Sequence, residues 1–166
     1  MEKVMQFITS NYYFFVAAVV VLLLFLFCRW LLEAMKMTPK DANRTIEEID
    51  NMDGREFEQF VAAVLIGNGY DIEEMTATSG DYGADIIATA GEERIAIQCK
   101  RYKKPVGLKA VQEVISAMKH YDCETCVVVT NTTFTKQAIQ LALDNEVVEL
   151  WDREILIKLR NQAVAN

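Results

Sequence analysis

The sequence predicts an α/β domain built on a mixed five-stranded sheet flanked by helices, preceded by one transmembrane helix. Three observations predict it. Residues 12–28 form an uncharged, almost wholly apolar run. After Asp53, apolar residues recur first at helical spacing and then in short strand-like runs. Beyond Lys100, helical and strand-like segments alternate, the pattern of parallel strands joined by helices.

In chain order, residues 1–11 read as a short N-terminal tail and residues 12–32 as the membrane helix. The 17 residues YYFFVAAVVVLLLFLFC would rise about 25 Å as a helix, and about 31 Å if extended through Leu32 with Arg29 snorkelling to the headgroups. Tyr12, Tyr13 and Trp30 stand where interfacial aromatics belong. A cleaved signal peptide has a shorter apolar core and a small-residue cleavage site, whereas CRWLLEAMKM follows here. Lys3 is the only basic residue before the run, and Arg29, Lys36, Lys40 and Arg44 follow it. The charge bias implies a single-pass protein with its C-terminal domain in the cytoplasm and a short N-terminus outside.

Residues 33–52 carry charges, Pro39 and few large apolar residues, and read as a juxtamembrane linker with a short helix near Thr45–Ile49. The domain is expected over 53–166. Asp53-Gly-Arg-Glu56 has capping-box form, and Phe57, Phe60, Val61, Val64 and Leu65 mark a helix that Gly67 and Gly69 end. Strands are expected over Tyr70–Met75, Ala84–Thr89 and Arg94–Tyr102, the last two joined by Ala90-Gly91-Glu92. Leu108, Val111, Val114, Ile115 and Met118 mark the next helix, Cys126–Thr130 a buried strand, and Thr135–Leu143 a helix. Val147–Trp151 gives the fifth strand, and Asp152 caps a last helix carrying Ile155, Leu156 and Leu159.

The formal charge is −7 over 166 residues, which argues against a protein that coats nucleic acid nonspecifically but permits a local basic patch. Cys123 and Cys126 have C-x-x-C spacing, but there is no second such pair, and His120 is the only histidine. A zinc site would need His120 and Cys99 or another chain, and a redox pair should open a helix rather than a strand. Small buried thiols in a reducing compartment are the favoured reading.

The chemistry is expected between Gly80 and Tyr102. Gly80 and Gly83 permit a tight approach to Asp85, which enters the second strand. Gln98 and Lys100 are two apart and leave one face of the third strand, while Ile95, Ile97 and Cys99 point the other way. Antiparallel pairing around Gly91 brings Asp85 to Gln98 and Lys100. A carboxylate, an amide oxygen and the Cys99 backbone carbonyl are hard donors suited to Mg²⁺ or Mn²⁺. Lys100 can then orient water or offset charge at a phosphodiester, and Glu58 can add a carboxylate from the first helix. Between Lys100 and Lys109 there are five basic residues and no acidic one. Arg101, Lys103, Lys104 and Lys109 read equally as a phosphate-contacting patch or as a solvated loop.

The stretch FEQFVAAVLIGNGYDIEE…GDYGADIIA…RIAIQCKRYKKPVGLKAVQEV…CVVVTNTTFTKQA…VVELWDREIL closely resembles the Mrr-like catalytic domain of the restriction-endonuclease-like (PD-(D/E)xK) superfamily. The resemblance covers roughly Asp53 to Leu159. It implies a restriction-endonuclease-like fold and divalent-metal hydrolysis of DNA, and the leading expectation is a membrane-tethered, cytoplasm-facing DNA endonuclease acting in defence against foreign DNA. By motif, the metal-binding acid falls on Asp85, the Q-x-K pair on Gln98 and Lys100, and the first-helix acid on Glu58. Gln112 is a further candidate for the same site or for DNA contact. Mrr-type restriction enzymes carry a separate DNA-recognition domain, and here an apolar segment stands in its place. The expected partners are DNA, the membrane, a second copy as homodimer or higher homo-oligomer, and a membrane or defence-system protein. The competing expectation is a noncatalytic, membrane-tethered nucleic-acid-binding or assembly module on the same fold.

Overall fold

The computed structural model describes residues 2–34, 37–76 and 82–165, without the side chains of residues 2–13, 15 and 32–34. Gly80, expected beside Asp85, lies outside the described residues. The chain divides into two compact units, Met1–Lys36 and Met37–Asn166.

The first unit is a single helix, α1 (Glu2–Ala34). Among the described residues no helix is long and apolar enough to cross a membrane, so the span expected over 12–32 is not supported.

The second unit begins earlier than the expected boundary at Asp53. A 3-10 turn (Pro39–Ala42) and a short helix α2 (Ile46–Asn51) precede the long helix α3 (Gly54–Gly67). Ala42, Ile49 and Met52 are buried in the same core as α3, so residues 37–52 are part of the domain rather than a free linker. Capping explains why so short a helix forms. Thr45 Oγ1 accepts a hydrogen bond from the Glu48 amide, and the Glu48 carboxylate accepts one from the Thr45 amide; Asp53 and Glu56 repeat the exchange at the start of α3.

Five strands follow in sequence and in space: β1 (Asp71–Met75), β2 (Ile86–Ala90), β3 (Glu93–Lys100), β4 (Thr125–Thr130) and β5 (Val148–Trp151). The first two pairings are antiparallel and the last two parallel, giving the mixed sheet expected. Helices α4 (Leu108–His120), α5 (Lys136–Leu143) and α6 (Arg153–Ala165) occupy the connections and the C-terminus. Thr135 caps α5 and Asp152 caps α6 through its Oδ1, which accepts from the Glu154 and Ile155 amides.

Two apolar layers sandwich the sheet. Ile86, Ile95, Ile97, Cys99, Val127 and Val129 face α3 and α6. Ile87, Ala96 and Val128 face α4, with Val111 and Val114 of that helix. Both faces are therefore covered, and even-numbered residues of β3 are no more exposed than odd ones. The α3–α6 contact is close enough that a Cβ on Gly67 would lie 2.5 Å from the Ala163 Cβ.

A clasp closes the domain at the C-terminal ends of β3 and β4. Asp50, at the end of α2, receives hydrogen bonds from Arg153 at 2.5 Å and from the Asn131 side chain at 3.0 Å. Asn131 in turn accepts from the Tyr102 amide at 2.9 Å. Burial alone would raise the Asp50 pKa, but the bonds from Asn131 and Arg153 and the charges of Arg153 and Arg101 outweigh it and hold the carboxyl below its usual value. A depressed folded-state pKa contributes stability that is present above about pH 4 and is lost as pH falls through the lower folded value. Asp50→Asn is therefore expected to lower the urea midpoint at pH 7 and to bring the variant closer to the wild type as pH falls below about 4. Urea melts at a series of pH values measure this directly; a gap between the two proteins that stayed constant with pH would rule it out.

Candidate active site

The site is set by a mismatch of strand lengths. β2 pairs with β3 only up to Ile86 opposite Ile97, whereas β3 continues to Lys100 along β4. One edge of residues 98–100 is therefore left without a strand. Asp85 fills that gap. Its amide donates to the Ile97 carbonyl at 2.8 Å, and its Oδ2 accepts from the Cys99 amide at 2.6 Å. The N–H and C=O of a strand residue leave on the same edge, so the Cys99 carbonyl also opens toward Asp85.

Thr76 holds the approach to Asp85. Its hydroxyl donates to the Ala84 carbonyl at 2.6 Å and its amide to the Asp85 carbonyl at 3.0 Å. Gly83 turns the chain at φ 98°, a conformation that favours glycine, and a Cβ there would come within 2.7 Å of the Glu113 carbonyl in α4. The turn before Asp85 and helix α4 are thus pressed together, and this brings Glu113 into the site.

Glu113 joins the expected pair. Its Oε2 lies 3.3 Å from Gln98 Nε2 and 3.4 Å from Lys100 Nζ, while its Oε1 lies 3.3 Å from Lys109 Nζ. Burial alone would raise its pKa, but the Lys100 charge and the hydrogen bonds from Lys109, Lys100 and Gln98 overcome it, so the carboxyl sits below its usual range. Gln98 is 2% exposed, and its Oε1 is buried without a hydrogen-bond partner. Such an orphan acceptor is costly unless something fills its lone pairs.

Asp85 meets the backbone between Gln98 and Lys100, the side chains of those two reach Glu113, and Glu58 differs. Its carboxylate is paired with Arg55 at 2.9 Å. It reaches the centre as a field: the Cys99 thiol is pushed well up by burial first, then by the charges of Asp85 and Glu58. Among the described residues there is no group of three or more His, Cys, Asp and Glu side chains able to hold a metal ion. A divalent cation would instead draw on mixed donors, and the residues fit one. The Asp85 carboxylate, the Cys99 carbonyl and the unpartnered Gln98 Oε1 are oxygen donors at one strand end.

The basic loop divides. Lys103 and Lys104 are exposed, as is Lys109 despite its pairing with Glu113. Arg101 is turned inward, with Nη1 donating to the Asp50 carbonyl at 3.5 Å and Nε buried without a partner. Gln112 is exposed on α4, and it is the next residue, Glu113, that faces the centre. Sequence reasoning missed Glu113 because a glutamate following a glutamine on an amphipathic helix looks like a solvated position. The available signal was the run of apolar residues Ala110, Val111 and Val114, whose face Glu113 borders. Beyond Lys100, a cleft of about 440 Å³ opens between the strand ends, with Tyr102, Lys103, Asn131 and Arg153 among its walls.

Cys123 and Cys126 carry free thiols, and burial pushes the Cys126 thiol up to about 12.

Residues 49–160 match the Mrr_cat family model, described as restriction endonuclease. The type IV methyl-directed restriction enzyme EcoKMrr of Escherichia coli (strain K12) is 29% identical over 126 residues, covering 71% of this chain and 41% of that protein. The chain thus aligns with about two fifths of that relative's length. Among solved structures, the DNA modification-dependent restriction endonuclease AspBHI is similar with a TM-score of 0.56 at 22% identity, over 76% of this chain and 38% of that one. MspJI restriction endonuclease, in complex with a 27-mer oligonucleotide, is similar with a TM-score of 0.50 at 20% identity, over 72% of this chain and 30% of that one. At these identities the two structures speak to the fold.

The contact at Gly83 provides a test of how tightly the site is built. Gly83→Ala meets both a strained φ and the α4 backbone, so a loss of about 1–3 kcal/mol is expected. Gly54→Ala, where a Cβ meets nothing within 4 Å at the first turn of α3, is expected to be neutral or slightly stabilising. Denaturant midpoints of the two variants should move in these different senses.

Proposed function

From the premise that the chain belongs to the Mrr catalytic-domain family of restriction endonucleases, we propose that it is a divalent-metal-dependent DNA endonuclease acting in defence against foreign DNA. The observation that supports this reading is Asp85 Oδ2 on the Cys99 amide at the uncovered end of β3, between Gln98 and Lys100, with the Gln98 amide oxygen buried and unpartnered.

Asp85, Gln98 Oε1 and the Cys99 carbonyl are the residues that would hold Mg²⁺ or Mn²⁺. A bound divalent cation supplies Lewis-acid polarisation of the phosphate and a lowered pKa for attacking water. The chain's own side chains do the rest. Lys100, held by Glu113, sets a positive charge beside the reacting phosphate, where it offsets negative charge as the phosphorus gains a fifth oxygen. Lys103 and Lys104 extend into solvent on the loop that follows and supply the backbone contacts that position DNA. One site per chain cuts one strand, so a homodimer or higher homo-oligomer would cut a duplex.

The reading includes a tether. The apolar run Tyr12–Cys28 and the basic residues after it support a single-pass anchor with the catalytic domain in the cytoplasm. A nuclease so placed meets DNA at the membrane, alone or with a membrane or defence-system partner.

Cleavage of several DNA forms with and without Mg²⁺ tests the activity. Asp85→Ala and Lys100→Ala are each expected to lower cleavage by at least about a hundredfold, while DNA binding stays within a few-fold of the wild type. Wild-type protein that binds DNA yet cuts none of these forms with any divalent cation would point to a noncatalytic binding module. Membrane fractionation of the full chain tests the tether, with the protein expected in the membrane pool and released by detergent but not by high salt or carbonate. Recovery in the soluble pool would remove the anchor from the reading.

A further inference from the structure

A second question attaches to the same site: why a neutral amide occupies position 98, where a carboxylate would hold a cation more strongly. The geometry answers it through Glu113. An ionised carboxylate accepts hydrogen bonds and donates none, so the Gln98 atom 3.3 Å from Glu113 Oε2 must be the nitrogen. Fixing the nitrogen fixes the oxygen. Gln98 Oε1 is thereby left at the other corner of the amide, buried and without a partner. The side chain is 2% exposed, so water does not provide an easy alternative for either atom.

A glutamate at 98 would face Glu113 at this same separation, two like charges at hydrogen-bond distance in a partly buried place. Glutamine removes the repulsion and turns it into a contact. Glu113 meanwhile keeps the anionic charge that a carboxylate at 98 would have supplied, and pairs it with Lys100 at 3.4 Å. The contact depends on the Gly83 turn, since a side chain there would collide with the Glu113 backbone.

We propose that Glu113 is the positioning residue of the centre: it orients the Gln98 amide so that Oε1 is presented to a divalent cation, and it carries the negative charge displaced from position 98. Gln98 and Glu113 are on this account an exchangeable pair, one amide and one acid, and the inference rests on the metal-dependent reading above. Glu113 touches neither cation nor substrate; it acts through Gln98 and Lys100.

The test uses the full chain in detergent and two readouts other than cleavage. The first is the affinity for Mn²⁺ by titration calorimetry. Glu113→Gln is expected to weaken Mn²⁺ binding at least fivefold, because the amide loses the partner that sets its orientation. Glu113→Gln combined with Gln98→Glu is expected to restore binding to the wild-type level or better, since a carboxylate at 98 offers an oxygen whichever way it turns. A purely structural role for Glu113 would not be repaired by a second substitution at 98. The second readout is the side-chain NH₂ signal of Gln98 in ¹⁵N-labelled protein without metal. It is expected to be shifted and slow to exchange in the wild type and to move toward the free-amide position in Glu113→Ala. Lys109→Met, which removes only the exposed lysine bonded to the other Glu113 oxygen, should leave both readouts near wild type.

Mn²⁺ binding unchanged by Glu113→Gln, or a double variant no tighter than the single one, overturns the pairing while leaving the nuclease reading in place. Failure of the wild type to bind Mn²⁺ at all overturns both, and so is distinguishable. Unchanged Gln98 amide signals in Glu113→Ala overturn the orientation argument independently of any metal.

Discussion

The bond from the Cys99 amide to Asp85 Oδ2 stands where β2 runs out and β3 does not. A strand edge with no neighbour leaves polar backbone atoms that must find partners, and in most sheets a further strand or solvent supplies them. Here one side chain closes the edge for the amide and leaves the adjoining carbonyl facing the same carboxylate. Everything that makes the centre distinctive follows from that closure. Asp85 is placed by main-chain bonds to Ile97 and Thr76 and by its side chain on the Cys99 amide. Gln98 and Lys100 emerge from backbone held only by β4. A centre built this way is held by the end of the sheet together with the turn that leads into β2.

The second constraint is the close approach of the Gly83 turn to α4. It costs a residue with positive φ and leaves no room for a side chain, yet it joins a helix to the hairpin that carries the acid. α4 then contributes its polar border to the site while its apolar face covers Ile87, Ala96 and Val128. One helix therefore both seals the sheet and supplies a carboxylate to its open end. On the opposite face α3, which packs there with α6, offers Glu58, but Arg55 one turn earlier engages that carboxylate, so its influence at Cys99 is one of field rather than contact.

Much of this was legible in the sequence because local signals and tertiary demands agree. Asp53, Thr135 and Asp152 are strong caps at the start of amphipathic segments, and each begins a helix. The alternation around Gly91 and the apolar run of β4 give a hairpin and a buried strand. The parity of Gln98 and Lys100 follows from the pleat. What escaped depends on contacts between distant segments. Residues 37–52 look like a linker because their apolar residues are few, but Ala42, Ile49 and Met52 are enough when α2 is capped and Asp50 is clasped by Arg153 and Asn131, which lie 103 and 81 residues further on. Glu113 escaped for the same reason, since its partners are on β3. Arg101 was read as part of a basic run, but it lies against Asp50.

That diversion bears on how an acidic chain would approach a polyanion. Of the five basic residues from Lys100 to Lys109, Lys100 and Lys109 are paired with Glu113, and Arg101 serves the clasp. Lys103 and Lys104 remain as exposed cations of the loop among the described residues. Each phosphate contact contributes a salt dependence of roughly 0.9 in log–log slope on duplex DNA. Two such contacts from this loop would give a weak, salt-sensitive attraction. On the proposed reading, a second copy would double the contacts, a divalent cation would cancel charge at the centre, and confinement at a surface would raise the effective concentration. On that reading, the electrostatics of the loop would favour a domain to which DNA is brought over one that searches for DNA by charge alone.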